Sequence, residues 1–222
     1  MEIVVLVLSV VLGVALFLLL KPKKNIVSLL LTFSGAYLLS ITVLKLLPEI
    51  FSKGNEQIGI YIILGLVLQL ILDFFSKGVE HGHLQAVDHH SFPWALFISL
   101  MLHAFMEGLP LSDHQHHELL WAIVVHKVPI AMVLASFLLH YTKKNTKGII
   151  FLIIFGIMTP LGTIVGGKIP FLISYSNEIN AVVAGVFLHI ATIILFESSK
   201  DHSFNIQKFS ALLVGILLAL VM

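Results

Sequence analysis

Apolar runs of about 20 residues, parted by short polar stretches, follow one another along this whole chain. A helix rises ~1.5 Å per residue, so a run of that length spans the ~30 Å hydrocarbon layer of a bilayer. Eight runs qualify: 2–20, 25–47, 57–75, 91–112, 119–141, 147–168, 179–198 and 206–222. Backbone amides find no water inside lipid, so such runs persist there only as helices that satisfy their own hydrogen bonds. Composition agrees: 58% of the 222 residues are hydrophobic and 11% charged, against roughly 25% charged in an average soluble domain. The expected fold is an all-α membrane protein, a bundle of eight transmembrane helices with short loops, in one domain over 1–222.

Charge placement predicts orientation. All 13 basic residues are lysine. The odd-numbered connections hold nine (Lys21, Lys23, Lys24, Lys77, Lys143, Lys144, Lys147, Lys200 and Lys208) and the even-numbered ones two, Lys53 and Lys168. Basic residues stay on the cytoplasmic side, so both termini are expected outside, in a plasma membrane or a bacterial inner membrane. Glu2 precedes the first run and lysines follow it, the reverse of a secretory signal, so that run reads as a retained helix. A net charge of +1 gives no purchase on a nucleic-acid backbone. With no cysteine, disulfides and thiolate metal sites are excluded.

Twelve histidines match the entire carboxylate count. Two connections concentrate them. The third, about 76–90, carries His81, His83, Asp88, His89 and His90 and is expected in the cytoplasm. The fourth carries Asp113, His114, His116, His117 and Glu118 and is expected outside. Each is either an ordinary solvated loop or a weak collector of divalent cations.

Ionisable groups within the spans are costly and usually functional. His103 and Glu107 stand one turn apart on one face of the fourth span, where imidazole and carboxylate can share a metal ion or simply hydrogen-bond each other. His126 in the fifth span lies at the same depth as Glu107, roughly 6–8 Å from the bilayer centre at ~1.5 Å per residue. His189 lies near the middle of the seventh. Pro110 and Pro129 each follow a candidate ligand by three residues and free the carbonyls of Met106 and Val125, as in broken helices along ion pathways. Lys127 either compensates Glu107 when no ion is bound or snorkels away from it. Three protein ligands leave a position open, and nitrogen plus oxygen donors suit Zn²⁺, Fe²⁺, Co²⁺ or Mn²⁺ better than Cu⁺.

These motifs resemble those of the ZIP family of divalent-metal transporters. His103-Ala-Phe-Met-Glu107-Gly108 resembles its H-x-x-x-E-G signature, and His126-Lys127-Val-Pro129 its H-K or H-x-x-P signature. Leu46-Leu47-Pro48-Glu49 is similar to an L-L-P-E ending of the second span. The stretch 184–191 is similar to A-G-x-F-x-Y-I-A, with His189 at the tyrosine. The resemblance implies movement of Zn²⁺, Fe²⁺ or Mn²⁺ toward the cytoplasm by alternating access, commonly as a homodimer, with no catalytic cofactor. It also implies an inverted relation between the first three and last three spans, though no repeat is visible in the sequence. Ala104, Ile130, Thr159 and Lys45 stand where relatives often carry further ligands. A single site at His103, Glu107 and His126 is therefore expected, with Lys127, His189, Lys45 and Thr159 beside it or along the pathway.

Two other readings fit membrane histidines and acids. One is a zinc-dependent lipid hydrolase using bound water as nucleophile, although no H-E-x-x-H motif occurs. The other is a transport-inactive relative that senses metal.

Overall fold

The computed structural model describes residues 1–76, 94–113, 117–141, 145–197 and 205–222. Among them there are helices and no strands. In chain order they are α1 (Glu2–Leu20), α2 (Lys24–Ile41), α3 (Leu47–Lys53), α4 (Ile58–Ser76) and α5 (Trp94–Gly108). After these come α6 (His117–Tyr141), α7 (Asn145–Lys168), α8 (Pro170–Ser174), α9 (Ser176–Glu197) and α10 (Ile206–Val221).

Seven helical stretches among these residues are long and apolar enough to cross a membrane. The eighth expected span is α10, whose 16 residues reach roughly 24 Å at ~1.5 Å per residue. Its start is fixed by Asn205, whose side-chain oxygen accepts from the amides of Gln207 and Lys208 at 3.0 and 3.2 Å. That N-cap begins the helix later than a bilayer-length span would need.

The second span is not one regular helix. α2 widens into a π turn over Thr42–Leu46 before α3 begins. Pro48 explains the widening: it has no amide to return to the carbonyl of Leu44, so the ladder loosens just ahead of it. Around Pro110 the fourth span tightens instead, passing from α5 into a 3₁₀ turn over Leu109–Asp113. Pro129 lies inside α6, which runs on through it as one helix.

Helix pairing shows an order that the sequence hides. α1 packs on α6, α5 on α7, α4 on α9 and α2 on α10, while α2·α9 and α1·α7 also meet. Exchanging α1, α2 and α4 with α7, α9 and α10, and α5 with α6, maps these six pairings onto one another, while α4·α5 and α6·α7, which also meet, have no comparable counterpart under the exchange. Two of the pairs are nearly backbone to backbone. A Cβ on Gly65 would overlap the Val182 carbonyl, and one on Gly162 the Phe105 carbonyl. Small residues permit such approaches where lipid supplies no hydrophobic drive between helices.

Two apolar clusters fill the interior. One gathers Val10, Leu31, Leu100, Ala104, Ile130, Leu134 and Phe155. The other gathers Leu6, Leu38, Ile41, Leu111, Leu119 and Ile123. Along α2 the first cluster gives way to the second between Leu31 and Tyr37, and along α6 the change falls between Ile130 and Ile123. Ser34, His126 and Lys127 lie in those gaps. A polar layer is therefore held between two apolar ones.

Candidate metal centre

The helical repeat puts His103 and Glu107 on one face of α5, and His103 Nε2 lies 3.1 Å from Glu107 Oε1. His126 of α6 completes the group: the three ligand atoms all lie within 4.8 Å of one another. Each side chain is buried, with at most 1% of its surface exposed. Two imidazoles and a carboxylate at these separations can converge on one cation of the size of Zn²⁺.

The other Glu107 oxygen is taken by Lys127, whose Nζ lies 2.5 Å from Oε2. The ammonium turns inward and is itself buried. A buried carboxylate without a partner would be very unfavourable in low dielectric, and a charge-assisted hydrogen bond offsets part of that cost. The ring of Phe155, 4.9 Å away, presents its face to the same ammonium.

α7 supports the carboxylate from behind. Thr159 donates its hydroxyl proton to the Ala104 carbonyl at 2.6 Å and approaches Glu107 Oε2 at 3.5 Å. One hydroxyl carries one proton, so the approach to Glu107 is a contact rather than a second donation. Thr163 ties Gly108 O to the same helix at 3.0 Å. The Gly108–Gly162 approach allows these short bonds, because a Cβ on Gly108 would overlap the Thr159 carbonyl.

The remaining candidates divide by position. Lys45, on the π turn, sits 3.5 Å from Glu118 at the start of α6 and is half exposed, two turns along α6 from His126. Asp113 ends the 3₁₀ turn and His117 opens α6, both exposed. His189 is only partly buried, on α9, a helix that packs against α4 and α2. It is not part of the converging group. His114, His116, His81, His83, Asp88, His89 and His90 lie outside the described residues.

Two side chains at the centre are absent from the sequence expectations. Ser34 of α2 brings its hydroxyl 3.4 Å from His126 Nδ1 while donating to Leu31 O at 3.1 Å. Phe155 is one of sixteen phenylalanines and looks like ordinary lipid-facing material. A small hydroxyl residue in an apolar helix was the available hint for Ser34, since such residues mark helix contacts in membranes.

No curated protein matches the chain. A family model described as the ZIP zinc transporter does, over residues 80–222, which takes in α5 to α10 and all three converging residues. That match covers well over half of the chain, so this protein belongs to the ZIP zinc transporter family, integral membrane proteins that transport divalent metals and are not enzymes.

Proposed function

We propose that the chain moves a divalent cation, Zn²⁺ or the similar Fe²⁺ or Mn²⁺, toward the cytoplasm through a single core site made by His103, Glu107 and His126. The observation that carries this reading is the convergence of those three buried donors at one depth of the bundle. Three ligands without thiolate favour a site that fills and empties over a closed structural cage. The apolar clusters on either side argue for alternating access, because an ion held between them leaves only if the packing on one side opens. Lysine placement favours the end of the bundle that carries Asp113, His117 and Glu118 as the outer one, with that loop collecting cation and the 76–90 connection receiving it.

The test is uptake into proteoliposomes. Glu107→Gln is expected to abolish Zn²⁺ uptake and His103→Ala to lower it by tenfold or more, about the size of one lost charge-assisted contact. Uptake at the unaltered rate in both variants would remove the core site.

A further inference from the structure

We propose that Lys127 makes the site selective for doubly over singly charged cations, acting as a tethered cation that an incoming ion has to displace from Glu107. The inference rests on reading His103, Glu107 and His126 as the ion's ligands and adds to it the source of charge discrimination.

Glu107 is not an open carboxylate. Oε2 holds the Lys127 ammonium at 2.5 Å, and Oε1 faces His103 at 3.1 Å. Carboxylate and ammonium together carry no net charge, and both are about 1% exposed, so the layer is balanced without any ion.

A singly charged ion that enters replaces one positive charge with another. It gains little Coulomb energy and strips the ammonium of its hydrogen-bonded partner in a low-dielectric interior. Na⁺ and K⁺ are also hard cations, poorly served by two imidazoles. A doubly charged ion has twice the attraction to the carboxylate and gains nitrogen ligands from His103 and His126. Only the second exchange offsets the broken pair.

The displaced ammonium keeps a place to go. The Phe155 ring already lies 4.9 Å from Nζ, and a desolvated aromatic face attracts an ammonium. Lys127 therefore moves aside without being stranded, and it returns to Glu107 when the ion leaves. The same competition weakens binding and so helps release.

The experiment uses purified full-length protein titrated with Co²⁺, with Na⁺ exchanged for choline at a constant ionic strength of about 0.15 M. Subtracting the signal of the His103→Ala/Glu107→Gln variant isolates the core site from the histidine-rich loops. The wild type is expected to bind Co²⁺ equally well in Na⁺ and in choline. Lys127→Met is expected to bind roughly tenfold tighter in choline, one charge-assisted hydrogen bond having been removed from the competition, and to lose most of that gain in Na⁺. Lys127→Arg, which keeps the charge, is expected to stay insensitive to Na⁺. A purely structural lysine would shift melting without creating Na⁺ sensitivity. Lys127→Met with wild-type affinity and wild-type indifference to Na⁺ would overturn the inference. So would a wild type whose Co²⁺ affinity falls severalfold in Na⁺, a result that needs no variant to fold. No Co²⁺ difference between the wild type and His103→Ala/Glu107→Gln would overturn the ligand reading itself, and this inference with it.

Discussion

Two of the lysine–glutamate pairs among the described residues tie α6 to another part of the chain, at different depths, and they carry different weight. Lys127–Glu107 is about 1% exposed at 2.5 Å, whereas Lys45–Glu118 lies at 3.5 Å with side chains 46% and 33% exposed. The chemistry is the same. Water is the difference: it screens the second pair and leaves the first to be balanced by its own partners. A buried pair is therefore a commitment, since removing either half strands the other, while an exposed pair is a bias on the local potential.

The sharpest test of that contrast is the melting of the inner pair's variants in detergent. Glu107→Gln strands the Lys127 ammonium and is expected to cost about 3–5 kcal/mol. Glu107→Gln combined with Lys127→Met removes both charges and is expected to recover most of the loss, because a neutral substitute for a buried pair is often no less stable. A double variant as unstable as Glu107→Gln alone would mean that the pair itself, and not the stranded charge, holds α5 to α6.

Next in size is the packing that brings α7 to the carboxylate. A Cβ on Gly162 would overlap the Phe105 carbonyl, whereas one on Gly59 meets nothing within 4 Å. Gly162→Ala is expected to cost about 1–3 kcal/mol as overpacking and to slow uptake by loosening the Thr159–Ala104 bond. Gly59→Ala is expected to be neutral or slightly stabilising in the same melting assay, since alanine is the better helix former. Equal effects at the two glycines would show that the close approach of α5 and α7 is not what orders the site.

The three converging residues are legible in the sequence for a simple reason: a histidine or glutamate inside an apolar run has few reasons to be there. Counting residues from span midpoints put Glu107 and His126 at one level, and one-turn spacing put His103 beside Glu107. Spacing could not say that α5 and α6 turn those faces toward each other. Nor could it orient Lys127, because a flexible four-carbon stem reaches either Glu107 or the membrane surface. Ser34 and Phe155 were invisible for the opposite reason, being residue types that apolar helices carry everywhere. His189 lies near the middle of its run as His103 does, and spacing could not say which of the two joins the converging group. Which helices are neighbours is a tertiary fact, and the glycines that allow the close pairs read in sequence only as small residues. The prolines differ in their effect: α6 continues past Pro129, while Pro48 of the Leu-Leu-Pro-Glu ending follows directly on the π turn that carries Lys45.

The outer pair should give the smallest effects and the most salt-dependent ones. Exposed ion pairs are worth about 0–1 kcal/mol, so Lys45→Ala is expected to leave melting nearly unchanged. Its effect belongs to the approach of the ion instead. Removing a positive charge beside Glu118 makes that end of the bundle more attractive to cations, and charge along an ion's approach acts mainly on encounter rate. Uptake at low metal concentration is therefore expected to rise in Lys45→Ala at low ionic strength, while Glu118→Ala slows it. Both differences should vanish near 1 M salt, where the screening length shrinks to about 3 Å. The comparison breaks if either effect survives high salt or comes with a large loss of stability. Lys45 and Glu118 would then act as a packed clasp between the π turn and α6, and depth in the bundle would no longer predict what a lysine–glutamate pair does.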